Sequence, residues 1–190
     1  MTTTLIVPGH GGSGPGHWQT WLQERLPGSV RARIPAPDEL DLSAWSAAIR
    51  WGIERLKDDD IWIVAHGFGC LAAVQAASDY SERIAGVMLV APYDPAALRL
   101  SHLMPDTPLE FLSVVVASSN DPQIRIDKAA FWAGFWSSEF LSIGAAGSID
   151  AESGFGPWPQ GLEILDKLKA SPAAHMYPHA SPVSRNATAV

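Results

Sequence analysis

Short apolar runs alternate along this chain with segments that have helical character. Mainly apolar runs predict five strands, at 4–8, 61–64, 85–91, 112–117 and 139–143. Segment 30–34 alternates apolar and basic residues, which predicts a sixth, more exposed strand at an edge. Runs that are apolar throughout are typical of strands buried on both faces. The pattern therefore indicates a parallel sheet covered by helices.

Helices are predicted between these strands by apolar spacing, capping residues and alanine content. They are expected at 17–26, in the forties and early fifties, and at 71–77, 126–136 and 158–168. The second of them can be capped by Asp41 or Ser43, and it carries Trp45, Ile49 and Ile53 at spacings of three or four. Segment 95–108 has no clear period. We predict a three-layer α/β sandwich with a mainly parallel sheet of five to six strands.

The chain has the size and composition of one globular domain. Its 190 residues are 47 % apolar, which is enough for a full core. We assign residues 1–170 to this domain. The segment 171–190 is rich in Pro, Ala and Ser and has no periodicity, so we expect a disordered tail there.

Charge and cysteine content narrow the partners and the compartment. The net charge of −7 argues against nucleic acid and against an anionic membrane surface. No apolar run approaches the roughly 20 residues of a membrane helix, and the first residues do not resemble a signal peptide. Cys70 is the single cysteine, which excludes an internal disulfide. These features predict a cytoplasmic protein.

A strand, a tight turn and a helix follow one another around Gly67. The turn reads Ala65-His66-Gly67-Phe68-Gly69, which corresponds to the G-x-S-x-G nucleophile elbow of α/β-hydrolases. Gly69 keeps the glycine that packs the helix against the strand. Gly67, however, stands where the serine nucleophile is expected, and glycine has no side chain that could attack a substrate.

Four loops of unusual composition follow the predicted strands, at 9–16, 65–70, 118–122 and 144–156. The carboxyl ends of parallel strands meet at one edge of the sheet, so we expect these loops to converge on a single cleft. The glycine-rich loop 9–16 matches neither a P-loop nor a dinucleotide-binding fingerprint.

Several motifs together resemble the small serine hydrolases of the YdeN and retinoblastoma-binding-protein-nine type, over about residues 3 to 169. They are PGHGGS at 8–13, HW at 17–18 with Trp21, Trp45, the elbow 65–69, AP at 91–92, SSNDP at 118–122, and SGFG at 153–156 with WP at 158–159. The resemblance implies a minimal α/β-hydrolase fold without a lid domain. It also implies a catalytic triad of serine, acid and histidine.

The resemblance assigns the three triad positions to Gly67 for the nucleophile, Asp121 for the acid and Ser148 for the histidine. In the family the histidine loop resembles Gly-His-Ile-Asn, whereas this chain has Gly-Ser-Ile-Asp at 147–150. Only Asp121 matches. Serine depends on an adjacent imidazole to take its proton, and the acid serves to orient that imidazole. We therefore expect hydrolase activity to be impaired or absent.

The oxyanion hole is expected to survive, because its donors are backbone N–H groups. By resemblance these belong to Phe68 and to the loop near His10 and Gly11. A residual cleft of this kind would bind a small molecule or an ester-like or amide-like substrate, and a protein partner is a further candidate. No His, Cys and carboxylate set has metal-ligand spacing, so we expect no metal and no other cofactor.

Three functions remain open at this stage. The first is a pseudoenzyme that keeps the esterase-like fold and cleft for binding. The second is a lyase, isomerase or cyclase that acts without a covalent step and uses an acid or base such as His10. The third is an active hydrolase with a relocated nucleophile, for which Cys70 is the candidate. His66 is expected to pack, and Ser118 and Ser153 are expected to cap turns.

Overall fold

Six parallel strands form one sheet at the centre of the protein. The computed structural model describes residues 2–171. The strands are β1 (Thr2–Val7), β2 (Val30–Arg31), β3 (Asp60–His66), β4 (Ile84–Val90), β5 (Leu112–Ala117) and β6 (Glu139–Ser142). Their order across the sheet is β2-β1-β3-β4-β5-β6, and every neighbouring pair is parallel. The strand order reverses between β1 and β3, which is where α/β sheets of this kind place their sites.

Helices cover both faces of the sheet. They are α1 (Trp18–Gln23), α2 (Leu42–Arg55), α3 (Phe68–Ser78), α4 (Ile126–Phe135) and α5 (Pro159–Lys169). Apolar residues of α2, α3 and α4 form one core cluster with the sheet, and those of α1 and α5 form the other. The predicted three-layer α/β sandwich is therefore confirmed.

Helix α2 shows how the sequence sets a boundary. The Asp41 side chain accepts a hydrogen bond from the N–H of Ala44 at 3.0 Å, so Asp41 is the cap and Ser43 is not. Trp45, Ile49 and Ile53 are almost completely buried, as their spacing predicts. The helix therefore presents one apolar face to the sheet.

The edge strand β2 is shorter than predicted. Only two of its residues pair with β1, Val30 with Leu5 and Arg31 with Ile6. The Arg31 guanidinium instead reaches the carbonyl of Ser13 and holds the glycine-rich loop. Edge strands are often short because a long free edge favours association with other chains.

The predicted tail lies outside the described residues except for Ser171. Within residues 2–171, none of the helices combines the length and the apolar character needed to cross a membrane.

Candidate active site

A cleft lies over the carboxyl ends of β1 and β3. It consists of two adjoining cavities of 340 and 330 Å³, which share His10, His17, Asp150 and Glu152 in their walls. The first cavity also contacts Gly67 at the elbow and Ser148 in the loop 144–156. All four loops expected to converge therefore contribute to one cleft.

Gly67 adopts the backbone conformation expected at a nucleophile elbow, which would be strained for a residue with a side chain. Its φ is 54° and its ψ is −128°, at the junction of β3 and α3, and its N–H donates to the carbonyl of Val90 at 3.0 Å. A Cβ added at this position would lie 3.4 Å from Cε1 of Tyr93, an ordinary contact. Space for a small side chain therefore remains, although this chain has none there.

Gly69 allows α3 to approach the end of β1 closely. A Cβ at this position would overlap the carbonyl oxygen of Pro8 and crowd Val7. The backbone oxygen cannot move aside as a flexible side chain would. Position 69 therefore requires a glycine because α3 packs against the end of β1. The strand that leads into α3 is β3, which lies next to β1 in the sheet.

Asp121 and Ser148 are in direct contact. The Ser148 hydroxyl donates to Oδ1 of Asp121 at 3.4 Å, and the N–H of Gln123 donates to the same oxygen at 2.9 Å. The second oxygen, Oδ2, is buried and has no hydrogen-bond partner within residues 2–171. Burial raises the pKa of Asp121 to about 6, although the bonds from Gln123 and Ser148 oppose this rise.

The turn after β5 holds the loop 144–156 in place. Ser118 Oγ accepts a hydrogen bond from the N–H of Ala146 at 2.9 Å, and Asn120 Oδ1 accepts one from the N–H of Gly147 at 2.8 Å. Ser153 Oγ accepts a bond from the N–H of Ser148 at 3.2 Å. The expectation that Ser118 and Ser153 serve as capping residues is confirmed by these contacts, and neither is placed as a nucleophile.

His66 does more than pack. Its Nε2–H donates to the carbonyl of Ser148 at 2.9 Å, which fixes a neutral ring with its lone pair on Nδ1. Burial lowers the pKa of His66, although the Ser148 bond opposes this effect. The side chain therefore stays neutral and ties the elbow to the loop that carries Ser148.

His17 lines the site, although the sequence marks it only as the start of a helix and as part of the HW motif. Its Nδ1 accepts a hydrogen bond from the N–H of Gln19 at 3.1 Å and so caps α1. Nε2 must then carry the proton of the neutral ring. Burial, followed by repulsion from His66, lowers the pKa of His17 to about 3. The two imidazole rings are 4.7 Å apart and meet edge to face.

Two backbone N–H groups are free to bind an oxyanion. Within residues 2–171 neither the N–H of Phe68 nor that of His10 has a hydrogen-bond acceptor. The expectation for Gly11 needs correction, because its N–H donates to the carbonyl of Pro37 at 3.0 Å. Phe68 and His10 thus remain as candidate donors, and Gly11 only lines the second cavity.

The substitute catalytic groups considered for this chain are poorly placed. Cys70 is fully buried, its thiol lies 3.4 Å from the carbonyl of Val90, and burial raises the pKa of the thiol well above its usual range. A thiol of this kind is inert. His10 is exposed at the rim, and its Nε2–H donates to the carbonyl of Asp38 at 3.1 Å.

Tyr93, Asp150 and Glu152 also line the cleft, although no sequence motif predicts a role for them. Tyr93 covers Gly67 from the loop after β4, where Ala91 has a φ of 48°. Trp132, Trp136 and Trp158 are buried in the core. No described group of three or more His, Cys, Asp or Glu side chains could hold a metal ion.

Comparisons with known proteins agree on the type of fold. A family model described as serine hydrolase matches residues 4–167. A YdeN-like protein from Pectobacterium atrosepticum is 35 % identical, with a TM-score of 0.84 over 93 % of this chain and 92 % of that one. The ydeN gene product of B. subtilis is 18 % identical, with a TM-score of 0.76 over 90 % of this chain and 100 % of its own length.

A more distant structure extends the likeness to esterases. Est1E from Butyrivibrio proteoclasticus, solved with ferulic acid bound, is 13 % identical, with a TM-score of 0.65 over 89 % of this chain and 87 % of that one. At this identity the likeness concerns the fold alone. A comparison with curated protein sequences gives no match.

Proposed function

This chain belongs to the serine hydrolase family, and we propose that it is a member that has lost covalent hydrolysis and keeps its cleft to bind a small molecule. The observation that carries the proposal is the state of the elbow. Gly67 keeps the strained backbone of a nucleophile position, with φ at 54° and ψ at −128°, yet it supplies no nucleophilic atom.

The contact between Ser148 and Asp121 supports the same reading. In a working triad the acid orients an imidazole, and the imidazole takes the proton of the serine. Here a serine hydroxyl donates to the carboxylate at 3.4 Å, so the acid holds a group that is not basic at neutral pH. The chain therefore lacks a nucleophile at position 67 and a base at position 148 that would take its proton.

The remaining parts of the cleft are suited to binding. Free N–H groups of Phe68 and His10 can donate to a carbonyl or carboxylate oxygen of a ligand. A cavity of 340 Å³, whose walls include His10 and Gly67, is within the volume range of small-molecule sites. The binding function needs only these groups and does not depend on a proton transfer.

A relocated nucleophile is not supported. The thiol of Cys70 is buried, hydrogen-bonded to the carbonyl of Val90, and has a raised pKa. The hydroxyls of Ser118 and Ser153 accept backbone hydrogen bonds within their loops. Each of these groups already has a structural role in the described part of the chain.

A second candidate function, non-covalent acid–base chemistry, is favoured by one observation. Burial raises the pKa of Asp121 to about 6, which is close to the range where a carboxylate acts as a general base. Its Ser148 partner could pass a proton from a substrate in the cavity. A lyase, isomerase or cyclase of this kind would use the same oxyanion donors.

Two assays on the purified protein test the proposal. A fluorophosphonate probe should leave no covalent adduct, since position 67 has no hydroxyl. p-Nitrophenyl acetate should be hydrolysed no faster by the protein than by its Asp121→Asn variant. Turnover that the Asp121→Asn change abolishes would contradict the loss of hydrolysis. Base-dependent turnover of a non-ester substrate, also lost in Asp121→Asn, would favour the second candidate.

A further inference from the structure

The walls of the cleft carry negative charge that no Lys or Arg within residues 2–171 neutralises. Among residues 2–171, Asp150 and Glu152 are the only Asp, Glu, Lys or Arg side chains that line the two cavities, and both belong to the shared part. Neither forms an ion pair with a Lys or Arg of residues 2–171. A ligand in this cleft therefore meets two carboxylates and no competing cation.

The surroundings of Asp150 favour the ionised form of its carboxyl group. Burial alone would raise its pKa, but hydrogen bonds from Ser153 and the electrostatic influence of His66 and His17 together lower the pKa below its usual value. One of these bonds runs from the N–H of Ser153 to Oδ1 of Asp150 at 2.8 Å. The carboxylate is thus fixed in orientation as well as in charge.

Two buried imidazole nitrogens next to these carboxylates lack partners. His17 is 6 % exposed and His66 is 7 % exposed, and both rings line the first cavity. The Nε2–H of His17 and the lone pair on Nδ1 of His66 have no hydrogen-bond partner within residues 2–171. Nδ1 of His66 packs against Gly9, since a Cβ added to that glycine would overlap it, so a ligand in the cavity does not reach this atom. The Nε2–H of His17 remains, and because a buried polar group without a partner is costly, it points to a ligand that completes it.

We propose that the cleft binds a small molecule that carries a protonated amine close to a carbonyl oxygen, with the amine against Asp150 and Glu152. This inference rests on the proposed binding function and names its ligand class. The carbonyl oxygen would accept from the imidazole of His17 or from the free N–H groups of Phe68 and His10. A carboxylate ligand without an amine would be repelled by the same wall.

The cation is an organic amine rather than a metal ion. Within the described part of the chain no three His, Cys, Asp or Glu side chains are grouped as metal ligands. Two carboxylates on a wall of an open cleft instead match an ammonium group, which needs only hydrogen-bond acceptors and space.

Three probes with a common carbon frame test this ligand class: L-leucinamide, 4-methylpentanamide and 4-methylpentanoate. They carry an ammonium, no charge and a carboxylate, respectively, at a pH near 7. Binding is measured by calorimetry or by ligand-observed NMR at low salt. Leucinamide should bind roughly tenfold more tightly than the neutral amide, and its affinity should fall as salt is added. The carboxylate should bind most weakly.

Substitution of the two carboxylates tests whether they cause the preference for the amine. The Asp150→Asn and Glu152→Gln double variant should bind leucinamide no better than 4-methylpentanamide. Asparagine at position 150 keeps an oxygen for the bond from Ser153, so the loop should remain folded. Glu163→Gln, which removes an exposed charge on α5, should leave the preference for the amine unchanged.

The outcomes separate this inference from the proposed function. Equal binding of the three probes, binding of none at millimolar concentration, or an amine preference that survives the double variant would overturn the inference. If the protein proves to hydrolyse esters but still prefers the amine through Asp150 and Glu152, the inference holds and the loss of hydrolysis is wrong. If it is inert to esters and shows no amine preference, only the inference fails.

Discussion

The hydroxyl of Ser148 donates to the carboxylate of Asp121 at 3.4 Å, across 27 residues of sequence. The acid position of the triad therefore has a partner, but that partner is a weak donor in place of an imidazole. The carboxylate remains mostly ionised at neutral pH in a buried place, since its pKa is raised only to about 6. The buried charge of Asp121 therefore lowers the free energy of unfolding, and this loss can be measured.

Asp121→Asn should stabilise the protein at alkaline pH. The folded pKa of Asp121 lies above its unfolded value, so its ionisation destabilises the fold above about pH 6, and this penalty disappears as pH falls toward 4. The variant should gain on the order of 1–2 kcal/mol at pH 8 and almost nothing at pH 4. Thermal unfolding at both pH values, with the exposed Asp106→Asn as control, provides the measurement. An equal gain at both values would mean that the charge is not the cause.

His17→Asn should flatten the acid side of the stability profile. Burial and repulsion from His66 lower the folded pKa of His17 to about 3, below its unfolded value, so the unfolded chain binds the proton first. Stability should be full above about pH 6.5 and decline toward pH 3, by up to about 1.4 kcal/mol per pH unit. Asparagine can still cap α1.

The free energy of unfolding of His17→Asn is measured with denaturant between pH 4 and 7 and compared with that of the parent protein. The exposed His10→Asn serves as the matched control, and its profile should follow that of the parent protein. If His17→Asn shows the same acid slope as the parent, proton uptake at position 17 does not contribute to acid unfolding.

Gly67→Ala should lower the melting temperature. An alanine would have to adopt the φ of 54° found here, which costs a residue with a side chain about 1–3 kcal/mol. For a domain of this size each kcal/mol corresponds to roughly 2–4 °C. Gly14→Ala is the control, because a Cβ there meets nothing within 4 Å. An unchanged midpoint for Gly67→Ala would show that the elbow is not strained in solution.

Gly69→Ala should also lower the melting temperature, through overpacking. The new Cβ would overlap the backbone oxygen of Pro8, so α3 would have to move away from β1. Overpacking of this kind costs about 1–3 kcal/mol and occasionally more. Gly134→Ala, in α4 with open space around it, should be neutral or stabilising. Equal melting temperatures for Gly69→Ala and Gly134→Ala would contradict the close approach of α3 to β1.

The sequence predicted the fold well because its strands are buried on both faces. Continuous apolar runs fix a parallel sheet, and the three-layer arrangement follows from the helices between them. The boundaries were less certain. Helix α3 begins at Phe68, three residues before its predicted start, because the turn after Gly67 enters the helix directly.

The candidate site was predicted only where a motif marked it. Gly67, Asp121 and Ser148 were named from resemblance, and the contact between Asp121 and Ser148 joins two of them. His17 and Asp150 were missed because their roles depend on contacts that no sequence motif marks. A histidine that caps a helix gives no signal that its other nitrogen is buried without a partner, beside a second buried imidazole ring. Likewise, hydrogen bonding within the loop 144–156 sets the charge of Asp150, and composition does not show it.

Restoring both missing side chains tests the central claim, that an intact hydrolase cleft has lost its chemistry through two positions. In the double variant Gly67→Ser with Ser148→His, the new imidazole would sit beside Asp121 and the new hydroxyl on the elbow. Triad members act as a unit, so each single variant should stay near background.

The direct measurement is p-nitrophenyl acetate hydrolysis by the parent, the two single variants and the double variant. We expect the double variant to exceed both single variants by at least about a hundredfold, to react with a fluorophosphonate probe, and to lose this activity when Asp121→Asn is added. A double variant that is folded yet no more active than the single variants would contradict the account.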